Sequence, residues 1–340
     1  MNKSYFFNLK SKQKIIILVL IFTFLFSLIT GFWNGSYDLE IIKFFKNELD
    51  NIQQFVLKKI RFPRVILAAF VGSSLALSGA CLQGLFRNPL ADPGLIGVSS
   101  GAALGAAFSI VLGSEIIAGG YLKTFLLPLS AILGSVVVIV LLSIITNGFK
   151  NSNITYIILA GIAINSLAGV GIGFLTYISD DAELRGLSFW SMGSFEGISW
   201  NLIIPSIIMI LITTLWTLTF ARKLDVIQLG ENDAHRLGVN IRKLKINIII
   251  SSSIIVGVST SLVGMIGFVG LVVPHLVRLL GGSNHNYLLI ASILFGSSLM
   301  IIADLISRTI IQPAQLPVGL ITSAIGAPFF LWLIYNMKRK

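Results

Sequence analysis

The feature that most restricts the fold is a series of apolar runs, each about as long as a helix that crosses a bilayer. Such a helix needs about 20 apolar residues to cover roughly 30 Å of hydrocarbon. The eighth run is short and has glycines at 264, 267 and 270, so eight or nine full spans with one broken helix are alternatives to ten. We predict ten spans, at residues 15–33, 64–84, 94–112, 122–146, 153–178, 201–220, 243–263, 268–281, 286–305 and 317–336.

Composition agrees with this prediction. The chain is 55% hydrophobic and only 11% charged, which lies outside the range of soluble globular proteins. The first apolar run follows basic residues, as in a signal peptide, but it is too long and no cleavage site follows it, so we predict a retained helix. We therefore expect an all-α integral membrane protein with one domain, residues 1–340.

The distribution of charge predicts an orientation. The formal net charge is +11, but the basic residues lie between the apolar runs and form no single patch, which argues against a nucleic-acid partner. With ten spans, both termini share a side. Cytoplasmic termini place the basic segments 3–14, 222–245 and 338–340 inside, and the acidic segments 38–50 and 180–196 outside, as the positive-inside rule requires.

Sequence signals of catalysis are weak. The chain has no HExxH, GxSxG or GxxxxGK[ST] pattern, so we expect no catalytic residue and no ATP hydrolysis by this chain. The single cysteine, Cys81, lies in an apolar run and can form no disulfide within the chain. His275 and His285 could bind a metal, but isolated histidines near a membrane surface are usually interfacial, so we assign no metal and no cofactor.

The internal segment of residues 221–242 is long and rich in charge. Asp233 is placed to cap the start of a short helix and Gly238 to end it. An amphipathic helix at the membrane face suits docking in a groove of a soluble partner. A solvated turn between the sixth and seventh spans is the alternative.

Several motifs resemble those of FecCD-type permeases, the membrane subunits of bacterial ATP-binding-cassette (ABC) importers for iron siderophores, haem and cobalamin. The resemblance covers nearly the whole chain. Its motifs are Arg61-Phe-Pro-Arg64, Ser78-Gly-Ala-Cys-Leu-Gln83 followed by residues 87–97, the 230–238 stretch, the 264–278 stretch, Ala303-Asp304 with Arg308, and Leu316-Pro-Val-Gly319 followed by Gly326-Ala-Pro328.

This resemblance implies a type II ABC importer permease of about ten helices in the bacterial cytoplasmic membrane. It implies a homodimer, with a second copy of the permease around a central pathway; a paralogous partner is the alternative. It also implies an extracytoplasmic substrate-binding protein and two ATPase subunits, which bind the ATP and magnesium. The segment that couples to the ATPase would contain Gly230, Glu231, Asp233, Ala234, Arg236, Leu237 and Gly238.

Three arginines, Arg61, Arg64 and Arg308, are predicted at the extracytoplasmic membrane edge. By themselves they would be interfacial arginines that reach toward lipid headgroups. The resemblance implies instead that they receive acidic residues of the binding protein. Asp304 could indicate a proton relay and a secondary transporter, but its spacing favours an ion pair with Arg308.

The substrate is indicated by the outer loop of residues 180–194, which is most similar to the haem-importing branch of the family, although siderophore permeases carry related sequences. Haem or another iron chelate is therefore expected, with a ferric siderophore or cobalamin as alternatives. A path for such a ligand should have apolar walls with few charges. Candidate wall residues, each of which could instead face a neighbouring helix, are Gln83, Asn165, Phe174 and Tyr177.

Overall fold

A computed structural model describes residues 9–37, 43–44, 46, 50–116, 122–146 and 154–337. In these ranges the regular elements are helices. A π-helical turn, Val56–Arg61, joins α2 to α3, and a 3₁₀ helix, Pro93–Ile96, precedes α4. The helices are α1 Ser11–Trp33, α2 Asn51–Phe55, α3 Phe62–Phe86, α4 Val98–Ile116, α5 Leu122–Ile145, α6 Ile154–Ile178, α7 Asp181–Met192, α8 Trp200–Leu218, α9 Ala221–Ile227, α10 Glu231–Arg236, α11 Ile241–Val263, α12 Val269–Gly281, α13 His285–Thr309 and α14 Val318–Met337.

The predicted spans are confirmed as helices. Seven helices, α1, α3, α5, α6, α8, α11 and α13, are long and apolar enough to cross a membrane, and the shorter apolar helices α4, α12 and α14 complete the ten. The predicted boundaries differ from the observed ones by only a few residues. Part of the charge argument concerns residues 1–8, 38–42, 47–49, 147–153 and 338–340, which lie outside the described residues.

Helix α3 lies at the centre of the bundle, and almost all of its residues are buried. It crosses α13 at Gly72 and Gly296, where a Cβ atom on Gly72 would lie 2.1 Å from the carbonyl oxygen of Gly296. Only glycine allows the two backbones to approach so closely. Close backbone packing of this kind replaces the hydrophobic driving force that is absent between helices in lipid.

Contacts between distant segments define the two ends of the bundle. Gln13, at the start of α1, donates to the carbonyl of Gly281 at 2.8 Å, and Asp225 of α9 accepts from the backbone of His285 at 2.8 Å. We call the end that holds these residues the basic end, because the basic segment of residues 222–245 begins there. The last turn of α1 and the last turn of α13 lie together at the opposite end, where Arg308 donates to the carbonyl of Gly31.

The eighth crossing is short, as predicted. Helix α12 has 13 residues, and Phe268 before it has a φ of 67°. Irregular backbone around Gly264 packs against the α7–α8 connection, where the amide of Ser194 donates to the carbonyl of Val263 at 2.8 Å. The start of α14 joins the same place, because the amide of Val318 donates to the carbonyl of Gly193 at 2.9 Å.

The segment of residues 180–194, which we predict as an outer loop, is mostly helix α7. Asp180 accepts from the amide of Glu183 at 2.8 Å, and the carboxylate of Glu183 accepts from the amide of Asp180 at 3.0 Å. This reciprocal capping starts the helix. The spacing of Asp180 and Glu183 was present in the sequence and could have predicted the helix start.

Candidate functional site

The segment of residues 221–242 folds as two short helices, α9 and α10, before α11 begins. The end of α10 follows the prediction, because Gly238 has a φ of 84°. Its amide donates to the carbonyl of His235, and the amide of Val239 donates to the carbonyl of Ala234, both at 3.0 Å, which satisfies two terminal carbonyls. The predicted start of α10 is wrong, since Gly230 is the N-cap and Asp233 lies within the first turn.

Two exposed leucines flank helix α10 at the basic end. Leu229 before it and Leu237 after it are 64% and 63% exposed, whereas Ala234 is completely buried against the bundle. Glu231 forms an ion pair of 2.8 Å with Lys245, whose side chain is 1% exposed. The segment is therefore fixed on its inner side and offers two isolated leucines, with the exposed Asp233 and Arg236, on its outer side.

The three predicted docking arginines come together at the opposite end. Arg64 donates its Nε to Asp304 Oδ1 at 2.8 Å and its Nη1 to Gln315 at 2.6 Å. Arg308 Nε lies 3.6 Å from Asp304 Oδ2, so the predicted pair between Asp304 and Arg308 is present. We call Arg61, Arg64, Asp304 and Arg308 the arginine cluster.

The side chains of this cluster are buried, which differs from the expected display at the membrane edge. Arg61, Arg64 and Arg308 are 3%, 6% and 4% exposed. The turn that follows α1 covers two of them, since a Cβ atom on Gly35 would lie 2.8 Å from Arg61 Nη2 and 3.2 Å from Arg308 Nη1. The docking role of these arginines stays a prediction, and the described conformation offers none of the three to a partner.

The C-terminus of α1 explains why these arginines point inward. Arg61 donates to the carbonyls of Phe32 at 3.1 Å and Trp33 at 2.6 Å, and Arg308 donates to that of Gly31. The last carbonyls of a helix have no partner within it and carry the negative end of its dipole. Two guanidinium groups therefore cap α1 and join it to α3 and α13.

Two of the four candidate wall residues form bonds between helices. Gln83 Nε2 donates to the carbonyl of Leu271 at 3.1 Å, and Arg278 donates to Gln83 Oε1 at 3.0 Å. Asn165 Nδ2 donates to the carbonyl of Gly94 at 3.0 Å, which fixes the loop between α3 and α4 against α6. Both side chains thus follow the alternative of bridging neighbouring helices.

The other two candidates, Phe174 and Tyr177, lie on the uncovered face of α6 and are 64% and 88% exposed. Val170, one turn earlier, is 71% exposed. The described part of the chain leaves these side chains uncovered, so in a membrane they would face lipid, a second chain or an open path. Their role in a path stays a prediction.

The loop between α3 and α4 is folded inward. Asp92 accepts from the amide of Gly94 at 2.8 Å and thereby caps the 3₁₀ helix. Burial raises the pKa of the Asp92 carboxyl, and the bond from Gly94 opposes this shift. Among the described residues, no group of three histidine, cysteine, aspartate or glutamate side chains could hold a metal ion.

A bundle of ten apolar helices, with a short polar helix tethered at one end, is the architecture of a multi-pass membrane protein. Comparison with known proteins identifies the family. The FecCD transport family matches residues 19–336, so the chain belongs to this family of transport proteins.

Relatives and solved structures agree. The chain is 42% identical to the hemin transport system permease protein HmuU of Yersinia pestis, over 90% of this chain and 91% of that protein. It is 36% identical to the vitamin B12 import system permease protein BtuC of Escherichia coli O9:H4, over 83% and 84% of the two chains. A metal-chelate type ABC transporter in an inward-facing conformation has a TM-score of 0.84 and 33% identity, over 94% of this chain and 99% of that one. The fold is therefore that of an ABC transporter membrane subunit.

Proposed function

We propose that this chain is the permease subunit of an ABC importer that moves haem across the bacterial cytoplasmic membrane. The observation that carries the proposal is 42% identity to a hemin transport permease over 90% of the chain. The vitamin B12 permease at 36% identity supports cobalamin as the second candidate, and a ferric siderophore is the third. Both termini would face the cytoplasm, with the basic end.

Energy would come from two ATPase subunits that bind ATP and magnesium, because the sequence has no phosphate-binding loop. The exposed Leu229 and Leu237 support docking of the α10 segment on such a subunit, since burial of a leucine side chain against a partner removes apolar surface from water. Proton coupling is less favoured, because the carboxylate of Asp304 lies between Arg64 and Arg308.

A second copy of the permease is proposed on the uncovered face of α6. There Gly169 and Gly173 have open space around them, and Val170 is 71% exposed. Small residues four positions apart let two helices approach closely in a membrane. Cross-linking through Val170→Cys in a Cys81→Ala background should give a covalent dimer. Cross-linking no stronger than with Phe22→Cys, on an exposed part of α1, would contradict this interface.

The substrate experiment uses the permease with its ATPase subunits in liposomes, with the binding protein loaded in turn with haemin, a ferric siderophore or cobalamin. We expect haemin to give the largest increase in ATP hydrolysis. Stimulation by cobalamin alone would assign the chain to the second candidate. A permease that takes up haemin without ATPase subunits would contradict an ATP-driven importer.

Docking of the binding protein on the arginine cluster needs a separate test, because these side chains also cap α1. Arg61→Glu and Arg308→Glu should weaken association with the binding protein. The thermal midpoint of each purified variant is measured in parallel, so that loss of the fold is recognised. Arg185→Glu, an exposed arginine on α7, is the matched control. Wild-type affinity at low salt in both folded variants would exclude the role.

A further inference from the structure

A polar joint connects α9 to two central helices at the basic end. Asp225 Oδ1 accepts from the backbone amide of His285 at 2.8 Å and lies 2.7 Å from His285 Nδ1. The amide of His285 is one of the first in α13 and has no partner within that helix. One carboxylate of α9 thus holds both the backbone and the ring at the start of α13.

The second half of the joint reaches α3. Gln228 Nε2 donates to the carbonyl of Gly84 at 2.7 Å. The His285 ring, 2% exposed, lies against the same glycine, where a Cβ atom would lie 2.3 Å from His285 Nε2. We call Gly84, Asp225, Gln228 and His285 the α9 joint. Asp225 of α9 and Gln228 at its C-cap are three residues apart, and their contacts hold α13 and α3 together.

Helix α9 is suited to act as a rigid connector between α10 and this joint. Its residues Ala221, Leu224 and Ile227 are 2%, 0% and 0% exposed and pack against the bundle. The ion pair between Glu231 and Lys245 connects α10 to α11, which is the next helix in the chain. The α9 joint, in contrast, connects the segment of residues 221–242 to α3 and α13, which are distant in sequence.

The two helices held by the joint also meet at the opposite end of the bundle. There Arg64 of α3 is paired with Asp304 of α13 at 2.8 Å. Between the ends the same helices are in contact at Gly72 and Gly296. Helices α3 and α13 are thus fixed to each other at both ends and at the centre, and a displacement at one end moves the pair as a unit.

We propose that Asp225 and Gln228 are positioning residues that pass movement of the docked segment to α3 and α13. The proposal rests on the proposed function, in which an ATPase binds α10. Closure of the ATPase would move α10 and α9, and the joint would convert that movement into a displacement of α3 and α13 relative to α6. Transmission of this kind requires contacts that differ in energy between the two states.

The experiment follows one distance in the complete complex with its ATPase subunits. Spin labels are placed at the exposed ends of two helices, through Ile310→Cys beside α13 and Ile178→Cys on α6, in a Cys81→Ala background. The distance distribution is measured without nucleotide and with ATP trapped by vanadate. Asp225→Asn and Gln228→Met are compared with Asp181→Asn, which changes an exposed carboxylate on α7.

We expect both joint variants to retain the ATPase subunits and ATP hydrolysis. The change that nucleotide causes in the ratio of the two label-distance populations should fall by about tenfold. This is the effect of losing one hydrogen bond to a charged or buried group. A purely structural role would instead lower yield and assembly. If both variants lose the ATPase subunits, the joint serves folding and the proposal is overturned.

A wild-type distance change in both joint variants would also overturn the proposal and would leave the proposed function intact. The proposed function itself would be contradicted by an unmodified complex that shows no nucleotide-dependent change. The two failures are therefore distinguished by which sample lacks the response.

Discussion

The two ends of the bundle hold their charged groups in different ways. At the opposite end, three arginines and Asp304 are almost completely buried, and the cluster bridges α1, α3 and α13. At the basic end, the carboxylates of Asp225 and Glu231 are 28% and 26% exposed. Asp225 accepts from His285 and, at 3.5 Å, from Asn284, whereas Glu231 is paired with Lys245. One end is thus a closed internal network, and the other is a set of separate contacts at the water boundary.

This difference has an energetic meaning. A buried charge that loses its partner keeps the full cost of its desolvation, so a buried network resists rearrangement. A partly exposed contact can exchange its partner for water at a cost of about 1 kcal/mol. The contrast indicates that the arginine cluster keeps its internal arrangement when α3 and α13 move together, whereas the contacts at the basic end can rearrange.

The largest effect is expected at the opposite end. Asp304→Asn keeps the shape of the side chain but removes the only carboxylate that Arg64 and Arg308 are seen to contact in the described part of the chain. We expect a loss of about 3 kcal/mol in stability. The measurement is the thermal midpoint of the purified permease, with Asp181→Asn as the control. An unchanged midpoint would contradict a stabilising role of the buried arginine cluster.

A smaller effect is expected from Glu231→Gln at the basic end. Lys245 is buried, but the glutamine keeps an oxygen that can accept from it, and water can reach the 26% exposed side of residue 231, so we expect a loss of about 1 kcal/mol. The same thermal measurement applies. A loss as large as that of Asp304→Asn would remove the distinction between the two ends.

The smallest effect on stability is expected from Leu237→Ser, which changes a side chain that is 63% exposed. The thermal midpoint should correspond to a change of less than about 0.5 kcal/mol. Binding of the ATPase subunit should nevertheless weaken by about tenfold, because the apolar area that Leu237 buries against the partner is lost. Leu331→Ser, on the exposed face of α14, is the matched control. Equal ATPase binding by both variants would contradict docking through α10.

Much of the fold could be predicted from the sequence, because each crossing leaves a long apolar run. The spans of α5, α6 and α11 lie within two residues of the predicted ones at either end. Helix α7 was missed because it is short and polar at its start, although its capping residues Asp180 and Glu183 were visible in the sequence. The end of α10 was predicted correctly because Gly238 is a strong local signal.

The direction of side chains at the candidate sites could not be predicted in the same way. The sequence places Arg61 and Arg308 at the correct end of their helices, but it does not show that the free carbonyls of α1 lie beside them. The bonds of Gln83 and Asn165 likewise depend on α12 and on the loop before α4, each far away in the chain. Such contacts are properties of the assembled bundle.

The shortness of α12 has a consequence for solvent access. Its 13 residues give a length of about 20 Å, which is less than the roughly 30 Å of a hydrocarbon layer. The remaining depth is covered by non-helical backbone near Gly264, whose amides cannot all bond within one helix. Such backbone must be buried in protein or line a water-filled cavity, because lipid chains cannot form hydrogen bonds with its free amides. Deuterium from the aqueous phase should therefore enter these amides faster than those of the central turns of α3, although both lie at membrane depth.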